Sequence, residues 1–174
     1  MSHAPRTFIA LGSNLPYRGV AGAALLAQAV AALKQAGLAP RALSGIWETA
    51  AQPPSDQPAY FNACAELDCG TDTPQQLYAA LRAIEVRFGR ERRERWGART
   101  LDLDILAMGA EAGTFDEITL PHPRLQDRAF VLFPLAEIAP EWRHPRLGKT
   151  VADLLRELPP GQPAVRIGAF SGSP

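Results

Sequence analysis

Two aspartates separated by one residue, Asp102 and Asp104, stand in an otherwise apolar run, Leu101-Asp102-Leu103-Asp104-Ile105-Leu106. In an extended chain side chains alternate, so both carboxylates emerge on one face while Leu101, Leu103 and Ile105 emerge on the other. Adjacent like charges repel, and a divalent cation relieves that repulsion. Hard oxygen ligands suit Mg²⁺, which is usually held by one or two carboxylates together with substrate phosphates. Arginines that could meet those phosphates lie just upstream. From Arg87 to Arg99 six arginines face two glutamates. Such a run is ordinarily a solvated helix end, but Trp96 and Gly97 interrupt it, and an exposed indole needs something to pack on. The plainer alternative, each aspartate pairing with an arginine across a sheet edge, stays open on these residues alone.

Other motifs carry less. Gly148-Lys149-Thr150 resembles the end of a phosphate loop, but Arg143 stands where that loop needs glycine, and no strand precedes it. There is no G-x-G-x-x-G, so a dinucleotide fold is excluded on the same ground. His122, between Pro121 and Pro123, reads by default as structural or exposed; Tyr60 and Phe130 read by default as core.

The elements that must position the aspartates follow in order. Thr7 to Leu11 is a first strand, ending in Gly12-Ser13-Asn14. Val20 to Ala36 is Ala- and Leu-rich and long enough for a helix, with Gly37 as its stop. Ala42 to Thr49 is a second strand, and the proline-rich Ala50 to Pro58 a surface loop. Tyr60 to Cys69 is a third strand, with Tyr60 and Asn62 on one face and Phe61, Ala63, Ala65 and Leu67 on the other. Thr73-Pro74 opens a second helix through Leu77, Leu81, Ile84 and Phe88, stopping at Gly89. The arginine loop and the aspartate strand follow.

This β-α-β-β-α-β order predicts an α+β, ferredoxin-like core, with two helices on one face of an antiparallel sheet. Strand parity places Tyr60, Asn62, Asp102 and Asp104 together on the other face, where a site could form. Beyond Gly109, Ile118 to Leu120 is strand-like, Pro121 to Leu125 a rigid connector, and Gln126 to Ile138 helical in pattern with Pro134 bending or interrupting it. Val151 to Leu158 is a last short helix, so the C-terminal additions are helical. The Pro/Gly-rich tail from Pro159 reads as mostly unpacked, apart from Val165 and Ile167 pairing at a sheet edge. No repeat or linker divides the 174 residues, which read as a single domain.

Lys+Arg and Asp+Glu both number 18, so no global basicity argues for nucleic acid or a membrane surface. Cys64 and Cys69 have opposite strand parity and read as reduced thiols of a cytoplasmic protein. No signal peptide is visible, and Val20 to Leu33, the longest apolar run, is too short to span a bilayer.

Four segments stand in order along most of the chain: Phe8-Ile9-Ala10-Leu11-Gly12-Ser13-Asn14-Leu15, then Asp56 to Asn62, then Gly89 to Ile105, and Leu120-Pro121-His122-Pro123-Arg124-Leu125 running on to Arg128, Phe130 and Pro134-Leu135. Together they resemble the 6-hydroxymethyl-7,8-dihydropterin pyrophosphokinase family of folate synthesis. The resemblance implies transfer of the ATP pyrophosphoryl group to the pterin hydroxymethyl oxygen, with release of AMP. It implies that Asp102 and Asp104 hold two Mg²⁺ ions bridging the ATP phosphates, and that Tyr60 and Phe130 sandwich the pterin. Asn62 would hydrogen-bond the pterin edge, aided by backbone near Gly12, Thr49, Ala50 and Gln52. Arg92, Arg95, Arg99, His122 and Arg128 would contact phosphates, with Arg92 and Arg99 catalytic beside the aspartates. Ile105 and Thr119 would line the nucleotide pocket, and Trp96 would sit in a loop closing over both substrates. Its expected partners are these two small molecules, with no nucleic acid and no membrane, for a monomeric protein.

Three departures from the family pattern bear on loop rigidity and nucleotide affinity. Ala98 replaces a usual proline, Ala50-Ala51 replace a common proline after Thr49, and Glu117 replaces a basic residue found in some members. The rival from another class is an RNA-binding module on the open sheet face. It lacks an RNP-type run and has two carboxylates where RNA phosphates would lie. A related kinase releasing ADP is the second alternative.

Overall fold

The computed structural model describes residues 5–51, 56–68, 73–89 and 99–171. Its sheet is antiparallel, and the aspartate strand forms one edge. In chain order the elements are β1 (Thr7–Ser13), α1 (Gly22–Gln35), β2 (Pro40–Leu43), β3 (Ile46–Thr49), β4 (Tyr60–Leu67), α2 (Pro74–Arg87) and β5 (Asp102–Met108). These are followed by β6 (Gly113–Phe115), β7 (Ile118–Leu120), a 3₁₀ turn (Leu125–Asp127), α3 (Ala129–Ile138), α4 (Val151–Arg156) and β8 (Ala164–Gly168). The strand order is β5-β1-β4-β3-β8, with β2 also pairing β4, while β6 and β7 form a separate hairpin.

β1 is central, and its alternation divides the molecule. Ile9 and Leu11 point to the face covered by α1 and α2, where Leu25, Leu26, Leu33, Leu77, Leu81 and Leu103 complete the larger core. Phe8 points to the opposite face, into a second core with Leu106, Val131, Leu132, Leu135 and Val151. There α3 and α4 cover one end of the sheet and leave the other end open around Gly12, Asn62 and Asp102. Gly12 pairs with both Asn62 and Asp102 in register.

Helix signals in the sequence act as expected at α2. Thr73 Oγ1 accepts from Gln76 N at 3.2 Å, and the Gln76 side chain returns a bond to Thr73 N at 2.9 Å, a reciprocal cap on two otherwise orphaned donors. Gly89, at φ +73°, ends the helical run.

Three expectations need correction. The second strand is broken rather than continuous: Ser44 Oγ, in place of a backbone carbonyl, accepts from Cys64 N at 2.9 Å, and Gly45 N turns aside to Glu137 at 3.0 Å. The helix expected from Gln126 begins at Ala129, because Arg128 is extended (φ −117°, ψ 108°). Pro134 lies inside α3 without ending it. Finally, the tail is packed: β8 pairs with β3, as Val165 and Ile167 suggested, but Pro160, Gly161 and Gln162 also close over the open end of the sheet. Cys64 is buried, with Sγ 3.6 Å from the Val131 carbonyl, and burial pushes its thiol pKa up. Cys69 lies outside the described residues. Among the described residues, no helix is long and apolar enough to cross a membrane.

Candidate active site

The open end of the second face is a cavity of about 480 Å³. β5 supplies Asp102 and Asp104 to it, β4 supplies Tyr60 and Asn62, and β1 supplies Gly12. Thr49 and Ala50 enter from the end of β3, Arg99 from the approach to β5, and Arg128 and Phe130 from the start of α3. The period-two alternation of three antiparallel strands thus brings carboxylates, an amide and an aromatic ring onto one floor. A Cβ on Gly12 would lie 3.4 Å from Asn62 Oδ1 and 4.0 Å from Asp102 Cβ, so any longer side chain there would fill the floor.

The aspartates each have an arginine. Arg99 Nη1 donates to Asp102 Oδ2 at 2.6 Å, and Arg82 of α2 places Nη2 3.5 Å from Asp104 Oδ1. Burial pushes the Asp104 carboxyl above the usual range; the Asp102 charge adds to this, and Arg82, Arg128 and Arg99 oppose it. Among the described residues, no three His, Cys, Asp or Glu side chains gather to hold a metal unaided. Two adjacent carboxylates in a cavity that arginines also line instead fit a cation whose remaining ligands come from a substrate and water, which is the habit of Mg²⁺.

Asn62 is buried, with Nδ2 donating to Thr49 Oγ1 at 3.0 Å, which fixes the orientation of its amide. The Tyr60 hydroxyl donates to Gln57 Oε1 at 3.2 Å, and burial raises its pKa, so the ring is a neutral face. The Arg128 guanidinium lies 5.4 Å from the Phe130 ring centre. Burial and the neighbouring Arg124 lower its pKa, while both aspartates pull it back.

His122 sits beside this cavity. Its Nδ1 accepts from Arg124 N at 3.1 Å, so the neutral ring carries its proton on Nε2. Burial, then Arg128 and Arg124, push its pKa down to about 4. Ile105 does not point into the cavity. It has the opposite parity to Asp104 and packs in the α1/α2 core, so only its backbone could meet a nucleotide. Thr119 lies on the β6–β7 hairpin with its hydroxyl 3.4 Å from that of Thr114, also away from the cavity lining. Gln52, Arg92, Arg95 and Trp96, each expected at the site, lie outside the described residues, as does the run from Arg90 to Ala98.

Several contributors were not singled out from sequence. Asn14 accepts from Arg99 N at 2.8 Å, and the Arg99 carbonyl receives Asn14 N and Leu15 N, both at 3.1 Å. The turn after β1 therefore grips the backbone that carries the Arg99 guanidinium. Glu85 is 2% exposed and accepts from Leu103 N at 2.6 Å, while Arg82 donates to Leu103 O at 2.7 Å. A signal for Glu85 was present: it lies four residues after Leu81, on the apolar stripe of α2. Arg124, Asp127 and the tail residues Pro160 to Gln162 also line the cavity.

Residues 8–140 match the family model described as 7,8-dihydro-6-hydroxymethylpterin-pyrophosphokinase. A Pseudomonas aeruginosa protein named 2-amino-4-hydroxy-6-hydroxymethyldihydropteridine pyrophosphokinase is 42% identical over 155 residues, covering 88% of this chain and 92% of that one. A Bacillus subtilis protein of the same name is 41% identical over 132 residues, 75% of this chain and 76% of its own. A Synechocystis protein so named is 48% identical over 102 residues, and there the match spans only 52% of the relative's length. Among solved structures, wild-type Plasmodium falciparum HPPK-DHPS with SDX-DHP superposes with a TM-score of 0.65 at 13% identity, over 88% of this chain and 43% of that one. That likeness is one of fold.

Proposed function

The chain belongs to the 7,8-dihydro-6-hydroxymethylpterin-pyrophosphokinase family, and from that premise we propose that it transfers the pyrophosphoryl group of ATP to 6-hydroxymethyl-7,8-dihydropterin, releasing AMP, as a step of folate synthesis. One observation carries this reading. Asp102, Asp104, Arg99 and Arg128 share a single cavity with Tyr60, Asn62 and Phe130, so a site for a polyphosphate adjoins a site for a flat, polar-edged ring.

In the proposed reaction the hydroxymethyl oxygen bonds to the β-phosphorus as the bond from that phosphorus to its bridge with the α-phosphorus breaks. The bridging oxygen leaves on AMP, and the hydroxyl proton passes to phosphate or solvent. Such a transfer asks a protein mainly for in-line positioning and charge stabilisation. Tyr60 and Phe130 supply ring faces for the pterin, and the oriented Asn62 amide reads its edge, with Gly12, Thr49 and Ala50 around it. Arg99 and Arg128 offer planar, permanently charged forks to phosphate oxygens. His122, neutral at physiological pH, offers Nε2–H rather than a charge. Asp102 and Asp104 would hold Mg²⁺, two ions in the fullest form of the proposal, and the metal would neutralise phosphate charge. Gln52, Arg92, Arg95 and Trp96 complete the proposed set, with Ile105 and Thr119 along the nucleotide through backbone or hairpin contacts.

The finer architecture belongs to the same proposal. We read β1-α1-β2/β3-β4-α2-β5 as a ferredoxin-like core in a single domain, with α3, α4 and β8 as C-terminal additions; the antiparallel order β5-β1-β4-β3 supports this. The proposed protein is a cytoplasmic monomer acting on its two small substrates, without nucleic acid.

The test is a product assay with ATP, Mg²⁺ and 6-hydroxymethyl-7,8-dihydropterin. AMP released only when pterin and metal are both present supports the proposal. ADP in its place would move the attack to the γ-phosphorus and overturn it.

A further inference from the structure

Helix α3 starts with Arg128 in the cap position and no side chain of its own segment capping it. An uncapped first turn leaves backbone N–H groups without partners. Here the first of them is met from far along the chain. Gln162 Oε1 accepts from Ala129 N at 3.1 Å, across 33 residues of sequence. The same amide donates Nε2–H to the Asp127 carbonyl, also at 3.1 Å. Asp127 and Ala129 flank Arg128, so one side-chain amide holds the peptide groups on both sides of it. Pro160, Gly161 and Gln162 line the cavity themselves. The tail then continues into β8, which pairs with β3, the strand that ends at Thr49. The tail lies beyond residues 8–140, the part that the family model matches.

We infer that Gln162 is a positioning residue for substrate binding: its amide clasps the backbone around Arg128 and thereby sets Arg128 and Phe130 toward the phosphates and the pterin. The inference rests on the pyrophosphokinase reading for the identity of those ligands. Amide geometry suits the task, since one carbonyl and one NH₂ on a single planar group match one N–H and one C=O spaced two residues apart. Asp127, Arg128 and Phe130 face the cavity from a turn and the first residues of a helix, where displacement is easy unless both flanking peptides are tied.

The experiment uses the full chain with Gln162→Ala and Gln162→Met. Both remove the two hydrogen bonds, and methionine keeps most of the bulk. Fluorescence titration with 6-hydroxymethylpterin would be made in the presence of Mg²⁺ and α,β-methylene-ATP, whose bridging carbon blocks cleavage. The dissociation constant is expected to rise about 10-fold in both variants, the scale of one or two lost hydrogen bonds. In turnover assays KM for the pterin should rise in parallel while kcat stays within about threefold. A lower melting temperature with unchanged pterin affinity and KM would make Gln162 a purely structural cap and overturn the inference. A rise in the alanine variant that methionine abolishes would make the effect one of wall volume, and would overturn it equally. Should the unmodified chain release no AMP yet bind the pterin, the pyrophosphokinase reading fails and the titrations still decide the clasp; should it bind no pterin either, the inference falls with that reading.

Discussion

Arg82 reaches from α2 to donate to the carbonyl of Leu103, the residue between the two aspartates, at 2.7 Å. Glu85, one helical turn on, takes the N–H of that same residue at 2.6 Å and pairs with Arg82 at 2.5 Å. Among the described residues β5 is the edge strand of the sheet, and no strand among them pairs with the outward-facing backbone of Leu103. The helix supplies both missing partners, and in doing so fixes the segment from which Asp102 and Asp104 project.

Glu85→Ala should therefore destabilise strongly. It would take from Arg82, half-buried against Tyr78, its nearest carboxylate, and would remove the acceptor of Leu103 N–H. Breaking a buried pair by removing one partner typically costs about 3 kcal/mol or more. Urea denaturation followed by circular dichroism would measure it. A loss below about 1 kcal/mol would mean that solvent readily replaces the carboxylate.

Asp104→Asn should separate stability from turnover. In the metal-free protein the Asp104 charge is disfavoured by burial and by Asp102, while Arg82 keeps Glu85 and Leu103 O as partners without it. A neutral amide of the same shape relieves the repulsion, so the melting temperature in EDTA should equal or exceed that of the unmodified protein. AMP release should fall by on the order of 10³-fold, the scale of several kcal/mol of lost metal stabilisation. Near-normal turnover at saturating Mg²⁺ would remove Asp104 from the metal site.

Much of this was legible in the sequence where a local signal decides local structure. Thr73-Pro74 and Gly89 bracket α2 because caps and positive φ act within a few residues. The parity of Asp102, Asp104, Tyr60 and Asn62 was legible because a strand buried on one face fixes its register. The break at Ser44-Gly45 was not, since it depends on Glu137, which is distant in sequence. Nor was the packed tail: Pro160 to Gln162 carry a loop's composition, and only the arrival of α3 beneath them gives Gln162 its partners. The aspartate–arginine pairing stood as an alternative to metal binding, and the pairing itself is present: Arg99 donates to Asp102 and Arg82 approaches Asp104.

Arg99→Ala should lower turnover by on the order of 10²-fold, the usual cost of losing one preorganised stabiliser of transition-state charge. Its backbone is gripped by Asn14 and Leu15, so truncating the side chain leaves the turn in place and the fold intact. Single-turnover measurement of AMP release isolates the chemical step. Arg99→Lys should recover only part of the loss, because an ammonium keeps the charge but not the two-pronged geometry. A change under about threefold in the alanine variant would confine Arg99 to pairing with Asp102.

His122 should make the protein sensitive to mild acid. Its folded pKa is lowered to about 4 from an ordinary value of 6.5, first by burial and then by Arg128 and Arg124, with Asp102 opposing. Between those two values the unfolded chain binds more protons at this position than the folded one does. Stability therefore rises with pH across that window, and is lost as pH falls from about 6.5 toward about 4. Thermal melts of the metal-free protein across this range should show a steeper acid decline than those of His122→Asn, which cannot titrate there. The comparison is internal to one position, so titration of surface carboxylates, common to both proteins, cancels. Identical slopes would mean that the His122 ring is solvated enough to take up its proton without cost. In that case it would meet phosphates as a cation rather than as a neutral Nε2–H donor.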